Sequence, residues 1–214
     1  MANLSKMPSS FFMHENDLDD QVYEVFKSAS KLAVDTEAMG LIHGRDRICL
    51  VQICDEKDNV CCIRISLGQT SAPKLKKLME SVNIQKVFHY ARFDIAALKK
   101  GLGIEVNQIF CTKIASKLGR TYTPRHGLKD LIMELVGVEL DKRSQSSDWG
   151  RSDELSEGQM IYAANDVRYL LFARDKLEKM LRREGRWELA QKCFNCLPTI
   201  SDLDIMQFHQ IFEH

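Results

Sequence analysis

Asp35 and Glu37 stand one residue apart at the end of the apolar run Leu32-Ala33-Val34. Side chains alternate along an extended segment, so both carboxylates share one face. Two like charges that close repel unless a cation sits between them, and hard oxygen ligands suit a divalent metal. Asp-x-Glu arises roughly once by chance in a chain of this composition, so its context must carry the reading. Asp94 follows in His89-Tyr90-Ala91-Arg92-Phe93-Asp94, where a strand is expected to hand over to a helix, the place where open α/β sheets bind ligands. Asp166 ends Tyr162-Ala163-Ala164-Asn165-Asp166 on a helical pattern, and the spacing of four puts Tyr162 and Asp166 on one face. Four carboxylates from three segments suit two divalent ions about 3.5 to 4 Å apart, the arrangement for in-line phosphodiester hydrolysis. In that scheme Tyr162 orients the attacking water. A phenol that titrates near 10 in peptides makes a poor base.

Each residue also has a plainer reading. Asp94 could be a first-turn charge favoured by the helix dipole. Tyr162 and Asp166 could be a helix-surface pair, and the same spacing recurs in Tyr90 and Asp94. A histidine version of the site can be drawn with His89, but from a different segment than the final pair.

The elements that must position these groups read as α/β. Residues 30–36, 47–56 and 60–66 form strand patterns, and the Lys57-Asp58-Asn59 link joins the last two as a hairpin. A helix over 72–82, a strand over 86–90, a helix over 91–100 closed by Gly101, and a strand over 108–111 follow. Strands alternating with helices argue for a parallel portion of the sheet. Beyond residue 112 the pattern is helical: 112–118, 127–136, and a long segment from 156 to about 183. The expected fold is a three-layer sandwich with a mixed central sheet, the first three strands antiparallel and the later ones parallel. The polar stretch 141–154 is the longest irregular section, and such loops are often functional. One domain over 1–214 is expected, with a catalytic core of about 18–185 and a C-terminal docking tail of about 186–214.

The 30 basic and 30 acidic side chains cancel, which excludes the basic field that drives long-duplex binding. Any nucleic-acid ligand is then short or locally held. Seven cysteines, several in strand-like apolar runs, fit a reducing cytoplasm. No apolar run reaches a membrane span and the N-terminus has no signal pattern, so neither membrane insertion nor secretion is expected.

With these residues in hand, the chain resembles the DEDD superfamily of 3′-to-5′ exonucleases, in its RNase D-like branch. Asp35-Thr36-Glu37 resembles the first exonuclease motif, Phe93-Asp94 the second, and Tyr162-Ala163-Ala164-Asn165-Asp166-Val167 the third. The segment from Leu140 to Trp149 is similar to the loop before the third motif. Position 90 carries Tyr where many members carry Asn. The resemblance implies a ribonuclease H-like fold, two Mg²⁺ or Mn²⁺ ions held by Asp35, Glu37, Asp94 and Asp166, and release of nucleoside 5′-monophosphates. Within that branch the chain looks most like the nanoRNase C (NrnC) family, which cleaves dinucleotides as a homo-octamer. This implies that Leu41 wedges between two bases with Met39 nearby, although ordinary core packing remains open for both. Gly40 and Gly44 favour a loop there. His89, Lys142 and Arg143 are expected to contact phosphates, and Trp149 to stack on substrate or to anchor its loop.

Cys193, Cys196, His209 and His214 match a zinc-finger spacing. The tail, however, carries Asp202, Asp204 and Glu213 and no Lys or Arg after Lys192, so phosphate would repel it. Helix cysteines, buried, with incidental histidines are the expectation. Three functions stay in view: cleavage of very short RNA, broader RNase D-like trimming of structured 3′ ends, and an inert RNA-binding scaffold.

Overall fold

The computed structural model describes residues 8, 10–43, 45–140, 148–150, 155–208 and 211. Its centre is a six-stranded sheet in the order β1-β4-β3-β2-β5-β6. The strands are β1 (Ser10–Glu15), β2 (Lys31–Ala38), β3 (Ile48–Cys54), β4 (Asn59–Arg64), β5 (Gln85–Phe88) and β6 (Ile109–Cys111). As expected, β2, β3 and β4 are antiparallel, while β5 and β6 continue the sheet in parallel from β2. Two elements precede the first expected strand: β1, which pairs in parallel with β4 at the sheet edge, and helix α1 (Asp20–Lys27). β3 is buried along its whole length, as a central strand covered on both faces must be. The expected hairpin forms because the Asp55 carboxylate accepts from the backbone N–H groups of Lys57 and Asn59, both at 2.9 Å. Asp58 takes the left-handed conformation there, which short polar side chains tolerate.

The helices are α2 (Pro73–Glu80), α3 (Ala91–Leu102), α4 (Thr112–Gly119), α5 (Leu128–Val136), α6 (Glu157–Arg168), α7 (Leu170–Arg183) and α8 (Trp187–Ile205). Gly103, at φ +63°, closes α3; the expected Gly101 sits inside the last turn. The single long segment expected over 156–183 is two helices, broken at Tyr169. α6 starts in a capping box between Ser156 and Gln159 and lies across β2, β3 and β4. Alternation along β3 and β4 feeds two apolar layers: Val51, Ile53 and Ile63 join the main core, whereas Leu50 and Cys62 pack with Trp149 and Ala163 under α6. The result is the expected three-layer α/β sandwich.

The C-terminal stretch is a docked helix. Phe194 of α8 meets Phe110 of β6 with ring centroids 4.8 Å apart, and Asp204 holds Arg92 of α3 through two hydrogen bonds of 2.5 and 2.6 Å. Cys193 and Cys196 lie within α8, the first half-buried and the second exposed, so burial does not explain them. His209 and His214 fall outside the described residues. Among the described residues no helix is long and apolar enough to cross a membrane.

Phe194 is buried against a fully buried ring, so Phe194→Ala leaves a cavity between α8 and the sheet. Urea titration should show a loss of about 3–5 kcal/mol. An unchanged midpoint would mean that α8 adds no stability.

Candidate active site

Asp35 and Glu37 leave the central strand β2 on one face, and α6 brings Asp166 over that face. One carboxylate oxygen from each of the three lies within 4.8 Å of the others. Asp35 pairs in the ladder with Gln52, and the register shifts between Glu37 and Ala38 before the pairing resumes at Ile48. Gln52 is fully buried, and its amide has no partner among the described residues. Asp94 lies outside that triple but close enough for its charge to act on Glu37 and for that of Asp35 to act on it. It is buried in the first turn of α3, where its Oδ1 accepts a hydrogen bond of 2.8 Å from the Thr36 hydroxyl. Thr36, between the two acids, faces the opposite side of β2, so a single tripeptide supplies two carboxylates and a tether for the fourth. The simple first-turn charge reading of Asp94 therefore gives way to a buried, tethered carboxylate. Thr36 went unassigned from sequence, although the strand's alternation was the signal.

The electrostatics are those of an acidic set short of countercharge. Burial pushes Asp35 up to about 7. Burial, and then the charges of Asp35, Asp166 and Asp94, push Glu37 up to about 10. Asp94 is raised well above the usual carboxylate range by burial and by Asp35, against the lowering effect of the Thr36 hydrogen bond. The Tyr162 phenol is raised by burial, then by Asp166 and Glu37, so it stays neutral and acts as a hydrogen-bonding group. Three convergent carboxylate oxygens beside a buried amide fit a hard divalent cation.

The three acids open into a cavity of about 580 Å³, also lined by Met39, Leu41, His89, Tyr90, Phe93, Lys113, Lys129, Trp149 and Tyr162. Met39 is 59% and Leu41 80% exposed, which overturns core packing for both. His89 Nδ1 lies 2.9 Å from Thr112 Oγ1, whose own proton goes to the Phe88 carbonyl at 3.0 Å. Nδ1 is therefore the donor of that pair. Trp149 is only 3% exposed and packs on Tyr162 at 6.2 Å, so it anchors the floor rather than offering a free stacking face. Gly44, Lys142 and Arg143 lie outside the described residues. Lys113 and Lys129 are the cavity cations that sequence left unassigned. Their only signal was a place in the first turn of a helix, where lysine is usually solvated.

The sequence matches the family model described as 3′-5′ exonuclease over residues 11–182. It is 32% identical over 155 residues to ribonuclease D of Sphingobium indicum, covering 72% of this chain and 39% of that protein. The chain thus spans less than two thirds of that relative's length, and 51% of the ribonuclease D of Xanthomonas oryzae pv. oryzae. Among solved structures, Brucella melitensis NrnC with bound Mg²⁺ superposes with a TM-score of 0.89 at 43% identity, over 96% of this chain and 99% of that one. Brucella melitensis NrnC bound to pGG gives a TM-score of 0.89 at 44% identity, over 96% and 98%.

The raised carboxylates set the pH dependence. Unfolded, these acids titrate near 4, so the folded protein holds protons that the unfolded chain has released. The metal-free fold therefore loses stability as pH rises from about 4 through the folded value of about 7 at Asp35. A divalent cation replaces those protons, so Mg²⁺ or Mn²⁺ should raise Tm more at pH 8 than at pH 5.5 in a thermal-shift titration. No rise at either pH, or a larger one at pH 5.5, would contradict a metal site here.

Proposed function

The chain belongs to the 3′-5′ exonuclease family, and from that premise we propose that it is a metal-dependent exoribonuclease that hydrolyses very short RNA, dinucleotides above all, to nucleoside 5′-monophosphates. The observation that carries this reading is the convergence of Asp35, Glu37 and Asp166 within 4.8 Å, at the floor of a cavity whose wall exposes Met39 and Leu41. A volume of about 580 Å³ suits a short ligand, since small-molecule sites run from roughly 300 to 1,000 Å³. Support for a short substrate comes also from the pGG held by the Brucella protein.

Asp35, Glu37, Asp94 and Asp166 are the ligands in this proposal, with Thr36 holding Asp94 in place. Two divalent ions, Mg²⁺ or Mn²⁺, would supply activation of water at neutral pH and charge stabilisation for the departing oxygen. Tyr162, a neutral phenol in contact with Asp166, orients the attacking water and leaves proton transfer to other groups. His89 on the cavity wall serves the phosphate, and Leu41 separates the two bases. Residues 1–214 are read as one exonuclease domain with α8 docked on it. Free cysteines throughout the described chain favour the reducing cytoplasm. Exposed Phe172, Leu189, Met206 and Phe208 favour a homo-oligomer, an octamer by family resemblance.

Asp35→Ala and Asp166→Ala should each lower metal-dependent cleavage of a 5′-phosphorylated dinucleotide by 10³-fold or more, on the order of 4 kcal/mol of transition-state stabilisation. Full activity in either variant contradicts the assignment. Turnover of the dinucleotide should exceed that of a 20-mer RNA under identical metal conditions. Equal or faster cleavage of the 20-mer would favour RNase D-like trimming instead.

A further inference from the structure

Tyr90 is the one aromatic residue among the described residues that sits in the left-handed region, at φ +75° and ψ +43°. A bulky L-residue there brings its Cβ against the carbonyl that follows, a conformation that Gly, Asn or Asp adopts with far less strain. Nothing in the helix start requires a tyrosine. As N-cap of α3, Tyr90 contributes no side-chain cap, and its carbonyl accepts from Phe93 N–H at 3.0 Å, which any residue could do. Strained residues persist where the surrounding structure or the function demands them.

The ring itself is placed for use. It is 47% exposed and lines the carboxylate cavity, and also a second cavity of about 520 Å³ completed by Leu41, His43, Arg92, Phe93, Asp204 and Gln207. Lys113 Nζ lies 4.3 Å from the ring centroid and covers one face. A cation over one face of a tyrosine holds the ring in place without filling the other. No aromatic ring among the described residues stacks on that other face.

We propose that Tyr90, backed by Lys113, is a stacking platform for a nucleobase of the RNA substrate. The ring takes the base on the face that Lys113 leaves free, and the backbone strain at position 90 is the cost of carrying an aromatic group at that point. Stacking tolerates every base because every base has a π-face, so the platform sets affinity rather than sequence preference. The proposal rests on the exoribonuclease reading and adds a residue outside the carboxylate set.

The test uses the full chain with Mn²⁺ and a 5′-phosphorylated dinucleotide, alongside two analogues, each abasic at one of the two nucleosides. Tyr90→Ala should raise KM roughly 5- to 100-fold on the intact dinucleotide, with a much smaller change in kcat. The rise should vanish on the analogue that lacks the stacked base. Tyr90→Phe keeps the ring and should recover KM. Tyr90→Asn relieves the left-handed strain, so it should raise Tm while showing the same KM defect as Ala. The Mn²⁺-induced Tm shift should be the same in all three, since Asp94 stays tethered to Thr36. An unchanged KM in Tyr90→Ala overturns the platform, as does an equal rise on both abasic analogues or loss of the Mn²⁺ shift. If the wild-type chain cleaves none of these RNAs, the exoribonuclease reading itself falls and the platform with it.

Discussion

Four carboxylates held at one end of a sheet repel one another, and much of the surrounding structure answers that repulsion. Burial raises the cost of each charge, while an effective dielectric well below that of water makes each pair interaction stronger. A flexible scaffold would let the acids drift apart. Here Asp35 and Glu37 sit on β2, the strand with β3 on one side and β5 on the other. Asp166 is fixed because α6 is pinned at both ends, by its capping box at Ser156 and by Arg168, which forms hydrogen bonds of 2.9 and 2.6 Å to Asp58 in the β3–β4 turn. The hairpin turn is therefore part of the support for the site, although it lies far from it in sequence.

The strand period distributes the work of Asp35-Thr36-Glu37. Two acids face α6 while the threonine between them faces α3 and holds Asp94. Thr36 donates to a carboxylate whose proton affinity is already raised, which satisfies one buried oxygen without adding charge. A lysine or arginine at that position would neutralise Asp94 and compete with any cation for it. A hydroxyl does neither. The neutral Tyr162 fits the same logic on the other layer, since a second ionised group beside Asp166 would deepen the repulsion.

The parts of this fold that were legible in sequence are those whose signals are local. The β2-β3-β4 meander follows from β-branched runs and a turn that Asp55 organises with its own carboxylate. α3 and its left-handed closure were legible in kind, with the closing glycine shifted by two residues. What escaped depended on distant partners. β1 pairs with β4 in register from Ser10 with Asn59, so its stability as a strand comes from residues some fifty positions on. The break at Tyr169 carries neither Pro nor Gly, so α6 and α7 read as one helix. It is tertiary packing, α6 on β2 to β4 and α7 on α4 and α5, that separates them. In the site, the order and spacing of acids revealed the carboxylates, whereas Thr36 and Lys113 have roles that only their neighbours define.

Exposure decided the remaining ambiguity. A leucine or methionine after an acidic strand is core in most proteins, and hydrophobicity alone cannot distinguish a core side chain from one that meets a ligand. Beyond the register irregularity after Glu37, Met39 still bonds through its N–H to the Arg47 carbonyl, while the side chains of Met39 and Leu41 stay exposed beside the cavity. Exposing a leucine to that extent forfeits burial worth about 1.5–3 kcal/mol. Tyr90, which lines the same cavity, gives up backbone comfort to hold its ring there. Both departures from the lowest-energy choice fall on residues that line the cavity of the acids. The leucine and the ring thus share one cavity with the carboxylates, which is where exposed apolar surface can meet a ligand held by the acids.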